Sequence, residues 1–215
     1  TIRVTGQGRA TAPVDWVQLR FDVVAQELEY EDSVNALNQQ IALLRNDVAA
    51  VGVPVDELKT TSFSVDAQSH WDSEETENLF YGYRARHTLS LGFGWDQDLL
   101  NELLRQVAAG GSCTDIDLSF TVHDDEAIKR EALADAVRSA RQQAEILAAA
   151  AGVTLGALQS IDHTWSEVQF SHADVSYCMV EAQGAPMADV DPEDIGTSDT
   201  ATLVWEIKAK AVRQR

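Results

Sequence analysis

Lysine is scarce in this 215-residue chain: only 4 of its 16 basic residues are Lys, set against 35 Asp and Glu, and the formal net charge is -19. A protein that pairs with phosphates needs a basic face. Here the nearest approaches to one are the interrupted Arg84-Ala-Arg86 and the tail from Lys208 to Arg215, so nucleic acid is excluded as a partner. The same deficit repels anionic membrane surfaces. Long apolar runs are also lacking: none approaches the roughly 18 residues of a membrane helix, so no transmembrane segment is predicted in the given chain. Two cysteines, Cys113 and Cys178, are too few for a disulfide framework and form no CxxC unit. One disulfide or two free thiols fit equally, which leaves the redox compartment open. No charged-then-apolar leader is present, yet the chain opens abruptly on an apparent strand, Ile2-Arg3-Val4-Thr5. That is compatible with a leader or lipid anchor removed before Thr1.

The apolar share of 45% is ordinary for a globular protein, so the acidity belongs to the solvated surface and does not signal disorder. Of the 35 acids 20 are Asp. A Lys-poor, Asp-rich surface suits very high salt, where screening removes self-repulsion. An acidic protein of ordinary salt is the plainer reading, and both stay open.

Hydrophobic periodicity divides the chain into strands and helices. Ile2 and Val4 start one strand, and Val17, Leu19, Phe21, Val23 and Ala25 alternate along a second. Gly6, Gly8 and Pro13 are expected to form a tight or bulged connection between them. Val34, Leu37, Ile41, Leu44, Val48 and Val51 then recur at helical steps, with Asp32 or Ser33 as N-cap and Gly52 with Pro54 as the stop. A strand over Leu58 to Ala67, a polar tip from Ser69 to Asn78 and a long strand from Tyr81 to Phe93 predict a hairpin. Asp96 is expected to cap a short helix closed by Gly110-Gly111, followed by a strand from Ile116 to Val122.

The longest helix is predicted over Asp125 to Ala151, with Leu133, Val137, Ala140, Ala144, Leu147 and Ala151 on one face. Its small side chains predict a close, flat approach to a sheet. A strand from Leu158 to Val168, a long surface loop from Phe170 to Thr197 and a last strand from Thr202 to Ile207 complete the pattern. Leu19-Arg-Phe21-Asp-Val23 echoes Leu118-Ser-Phe120-Thr-Val122 at an offset of 99. Ala50-Val-Gly52-Val53 likewise echoes Ala150-Ala-Gly152-Val153. The expected class is α+β: a single domain over 1–215 with helices packed on antiparallel or mixed sheets, whose echoes fit either two duplicated strand-helix-strand units, at about 1–95 and 96–215, or a chance match of patterned elements.

The order of motifs resembles one family. Ile2-x-Val4-x-Gly6-x-Gly8 with Pro13-Val-Asp15, Val51-Gly52-Val53, Asp56-x-Leu58-x-Thr60 and Tyr81-Gly-Tyr83-Arg84-Ala are similar to the SIMPL domain family. So are the helix through Ala132-Leu133, Ala136 and Ala140 to Leu147, Ala151-Gly152-Val153 with Leu155-Gly156, and the closing Ile195, Ala201 and Leu203. That family includes periplasmic immunogenic proteins and bacterial proteins linked to oxidative-stress defence. The resemblance spans essentially the whole chain. It implies two strand-helix-strand-strand modules, ring or channel-like homo-oligomers, a periplasmic, extracellular or envelope location where the residues alone leave a cytoplasmic one open, and no established catalytic residues. The chain departs from the family in its acidity and in the segment from Trp165 to Met179.

Chemistry-bearing residues form no catalytic constellation. Gly6-x-Gly8 has no third Gly at the dinucleotide-loop position and opens no helix. His123-Asp124-Asp125-Glu126 reads as a helix N-terminus, where carboxylates complement unpaired N–H groups. His163, His172 and Cys178 are candidate metal ligands by residue type, because imidazole and thiolate suit zinc or copper, but their spacing fits no compact motif. No Gly-x-Ser-x-Gly elbow is present. The aromatic residues Trp71, Phe80, Tyr81, Tyr83 and Trp95 gather around the predicted hairpin, as core packing or as a contact surface. Three functions therefore compete. The first is a non-enzymatic oligomer of the envelope or of stress defence, with no cofactor. The second is a module binding a partner protein or small ligand through the 170–197 loop and the aromatic hairpin. The third is a metal-dependent enzyme.

Overall fold

The computed structural model describes residues 1–72, 77–110, 114–163, 174–178 and 192–209. In chain order the elements are β1 (Ile2–Ala12), β2 (Trp16–Glu27), α1 (Tyr30–Ala50), β3 (Lys59–Asp72), β4 (Glu77–Gly94), α2 (Gln97–Gly110), β5 (Thr114–Thr121), α3 (Asp125–Ala150), β6 (Val153–Asp162), β7 (Asp174–Cys178) and β8 (Ile195–Ala209). Among the described residues three α-helices and two antiparallel sheets make the class α+β. They belong to two compact units. The terminal unit comprises Thr1–Val14, Val122–His172 and Glu193–Arg215; the central unit comprises Asp15–Thr121 and Ala173–Pro192.

The central unit is built on a five-stranded sheet in the order β3-β4-β2-β5-β7. Val17, Leu19, Phe21 and Val23 of β2 are fully buried, as are Leu89 and Leu91 of β4 and Ile116 and Phe120 of β5. Slipping β2 by one residue would put Gln18, Arg20 and Asp22 into this core, so the alternation itself sets the register. Helix α1 crosses β2 and β4 with Leu37 and Leu44 inward, and α2 packs beside α1. The two echoed strand segments lie side by side, with Leu19 opposite Leu118. Helix α1 starts at Tyr30, before the expected cap. Ser33 sits inside the first turn, where its hydroxyl donates to the Tyr30 carbonyl at 2.8 Å instead of accepting from an N–H. Asp96 caps α2 as expected, accepting from the Asp98 and Leu99 amides at 3.0 Å.

The terminal unit has a three-stranded sheet in the order β1-β8-β6. Helix α3 lies against it through Ile128, Ala132, Ala136, Ala140, Ala144 and Ala148, a strict four-residue stripe. The sequence pattern placed Leu133 and Leu147 on the inward face, but Leu133 is only partly buried and Leu147 is exposed. The reason lies in β1. Gly6 and Gly8 are not a turn; both sit mid-strand, facing α3. A Cβ on either would overlap backbone atoms of Ala136, Ala140 or Ala132. The helix is seated backbone to backbone, and only alanine fits at the seam.

Two strands differ from expectation. Strand β6 starts at Val153, directly after Gly152 turns the chain at φ +70°, not at Leu158. Strand β8 begins at Ile195, inside the segment read as loop, because Ile195, Thr197, Asp199 and Ala201 continue its inward alternation. Strand β7 also falls within that segment.

Candidate functional site

The tip of the β3–β4 hairpin carries an aromatic surface whose arrangement depends on a bulge. Gly82 pairs with Gln68 and Phe80 with Ser69, which leaves Tyr81 as the extra residue. Gly82 is at φ +125°, and a Cβ there would overlap the Glu27 carbonyl, so glycine is required twice over. The bulge puts Phe80 and Tyr83 on one face, with ring centroids 5.2 Å apart, and Tyr30 stacks edge-on against Tyr83 at 5.8 Å. Tyr81 goes to the other face, beside His70 at 5.8 Å. Phe80 and Tyr81 are 52% and 42% exposed. Down the hairpin Phe63 lies edge-on to His87, which shares a 2.7 Å hydrogen bond with Thr60. Burial, with the charge of Arg45, holds His87 below the usual imidazole range.

The other two aromatic candidates are placed differently. Trp95 follows the opposite end of β4 and packs edge-on against Phe120 at 5.2 Å, so it does not join the tip. The backbone of Trp71 pairs with Asn78 near the tip, and its side chain lies outside what is described.

The candidate metal ligands do not form a described cluster. His163 follows β6 in the terminal unit, and its Nε2 lies 3.1 and 3.2 Å from the two carboxylate oxygens of Asp199, which also accepts from the Thr200 amide at 2.7 Å. Cys178 ends β7 in the central unit, where only its backbone is described. His172 and Cys113 lie outside the described residues. Among the described residues no group of three or more His, Cys, Asp or Glu could hold a metal ion. At the start of α3 the Asp124 carboxylate accepts from the Glu126 and Ala127 amides at 3.2 and 3.3 Å, while Lys129 bridges Asp125 and Glu126. These carboxylates serve the helix end.

Two features had no place in the sequence reading. One is a groove of about 420 Å³ in the terminal unit, lined on its apolar side by Val137, Leu155, Leu158, Leu203 and Trp205 and on its polar side by the Arg141–Glu145 ion pair. Beside it the edge strand β6 exposes Leu158 and Ile161 at 45% and 55%. The other is the open face of the central sheet, where the polar members of each alternation meet. Thr88 donates to Asp22 at 2.5 Å, Arg20 donates to the same carboxylate at 2.8 Å, and Gln18 donates to Ser90 at 2.6 Å. Partial burial pushes Asp22 upward. The bonds from Thr88 and Arg20, with the charges of Arg20 and Arg86, outweigh it and hold the carboxyl below its ordinary range. The signal for this face was present in the even-numbered residues of β2 and β4, which the core alternation leaves over.

The order of elements, the Gly52 and Gly152 turns after the two long helices, and the Gly-Ala seam together run the length of the chain. A family model described as SIMPL, protein of unknown function (DUF541), matches residues 2–205. The chain belongs to the SIMPL family. No curated protein matches it. Membership leaves the activity unassigned, since the family is one of unknown function. Among the described residues no helix of this SIMPL protein is long and apolar enough to cross a membrane.

Proposed function

We propose that this SIMPL protein is a non-enzymatic homo-oligomer of the cell envelope, acting by association and not by turnover. The observation that supports assembly is the outer edge of the terminal unit. Strand β6 ends that sheet, and residues 158–162 are all exposed. An edge strand offers a row of N–H and C=O groups to a further strand. Leu158 and Ile161 supply apolar contact, and the adjoining groove gives that contact depth. The envelope location and a part in stress defence rest on the family resemblance. The surface charge of -19 is read as adaptation to high salt, in which copies of so acidic a chain approach with little repulsion. Sedimentation velocity at molar and at millimolar salt tests the reading: a discrete oligomer is expected at high salt, and a monomer in both overturns it.

A second reading has its own observation, the exposed rings of Phe80 and Tyr81 on opposite faces of a bulged hairpin. On that reading the hairpin docks a partner protein, since exposed aromatics supply most of the energy of such contacts. Its other proposed half, the 170–197 loop, falls largely outside the described residues. Replacing both Phe80 and Tyr81 by Ser should leave assembly unchanged while abolishing any partner contact made through the tip.

A further inference from the structure

We propose that the open face of the central sheet is a binding site for a small polyhydroxylated carboxylate, of the chemical class of the acidic sugars. The face carries an open trough of about 970 Å³, lined in part by the solvent-exposed side chains of Gln18, Arg20, Ser62, Arg86 and Asp117. Its depth has a cause in the sequence. The positions that line it on β3, β4 and β5 include Ser62, Ser64, Thr88, Ser90 and Ser119, whose short side chains leave the space that Lys, Glu or Gln would fill.

The charged groups at its centre are already arranged. Asp22 is held by Thr88 and Arg20 on separate oxygens, and Arg20 reaches Asp117 at 3.9 Å on the neighbouring strand. Gln18 is fixed by its bond to Ser90. Arg86 differs from Arg20. It lines the same space and adds its charge to Asp22 from beyond ion-pair distance, and no carboxylate among the described residues lies within 4.0 Å of it. Arg9, Arg45, Arg84 and Arg130 likewise have no ion pair among the described residues, but of these five arginines Arg86 is the one that lines this trough. On this polar, open trough its unpaired charge attracts an anion, and its planar fork matches a carboxylate.

The rest of the lining sets the class. Serine hydroxyls both donate and accept, as ligand hydroxyl groups require. Asp22 and Asp117 in the same trough oppose a dianion such as phosphate, while a single carboxylate seated on Arg86 keeps its negative charge at the cation and offers hydroxyl donors to the acids. A neutral sugar leaves Arg86 without its partner.

Isothermal titration of the full chain with galacturonate, glucuronate and gluconate tests the assignment, with galactose and inorganic phosphate as controls. At least one of the three acids should bind saturably and at least about tenfold more tightly than either control. Arg86→Gln should weaken that binding about tenfold or more, with the circular dichroism spectrum and melting temperature unchanged. Amide resonances of residues 62, 64, 86 and 90 should shift on addition of the bound acid. Absence of saturable binding by all three acids overturns the proposal. So does galactose or phosphate binding as tightly, an unchanged affinity in Arg86→Gln, or shifts confined to other strands. Because the site lies in the central unit and β6 in the terminal one, sedimentation of Arg86→Gln should match the parent chain.

Discussion

Gly6 of β1 lies directly beneath Ala136 of α3, so close that a Cβ on the glycine would overlap the alanine carbonyl oxygen. Gly8 stands in the same relation to Ala132 and Ala136. The obstructing atoms are backbone, which cannot rotate aside, so a single added methyl must lift the helix from the sheet. Gly6→Ala and Gly8→Ala are each expected to cost about 1–3 kcal/mol or more in urea unfolding. Gln7→Ala, on the outward face of the same strand, should stay within about 0.5 kcal/mol. Equal losses at residues 6 and 7 would show that the seam is not the cause.

That seam marks the boundary of what the sequence made legible. The flat approach of α3 to a sheet followed from its alanine content, and the α+β class from the change of hydrophobic period at Val34 and again at Asp125. The role of Gly6 and Gly8 did not, because a glycine in a strand pattern signals a turn, a bulge or a close approach alike, and only the helix above decides. The inward face of α3 was misplaced for the same reason. Hydrophobicity favoured Leu133 and Leu147, but against a glycine floor size outranks it. The bulge that turns Tyr81 away from Phe80 and Tyr83 was hidden by an unbroken alternation through Tyr81, Tyr83 and Ala85. Residues on the open face of the central sheet are separated by up to about a hundred positions, as Gln18 and Ser119 are, and only the pairing of β2 with β5 brings them together.

Asp47 carries a cost that depends on pH. It is 7% exposed on the inward side of α1, and among the described residues its Oδ2 has no hydrogen-bond partner. Burial raises its pKa, and a bond from Gln106 only partly opposes this. An acid whose folded pKa lies above its unfolded one favours the folded state at low pH. Its contribution falls as pH rises from the ordinary carboxylate range through the raised folded value. Asp47→Asn removes the charge and keeps the shape. It should stabilise the chain by about 1 kcal/mol at pH 7 and by progressively less toward pH 3, in denaturation midpoints measured across that range. A gain independent of pH would place the effect elsewhere.

Asp22 has the opposite sign. Its folded pKa is lowered, so the stability it contributes is present above the unfolded carboxylate value and is lost as pH falls through the folded one. Thr88→Val keeps the side-chain shape and deletes the donor that reaches Asp22 at 2.5 Å. The expected loss is about 1 kcal/mol at pH 7, shrinking below pH 3 once the carboxyl is protonated. Urea midpoints of the variant and the parent should therefore converge in acid, and parallel curves would mean that Thr88 acts by packing alone.

Association through β6 and the charge of the chain should be separable by salt. At -19, copies repel one another across a screening length of about 10 Å at 0.1 M salt, which shrinks to about 3 Å at 1 M. Raising salt should both increase the melting temperature and shift sedimentation toward the oligomer. Leu158→Lys places a charge on the outer edge strand, at a side chain 45% exposed that lines the groove beside Leu203 and Trp205. The variant is expected to melt within about 2 °C of the parent at 1 M salt, as an exposed substitution should. It should also sediment as a monomer where the parent assembles, because a lysine on an edge strand opposes further pairing. An oligomer that survives Leu158→Lys at every salt concentration would move the interface away from β6.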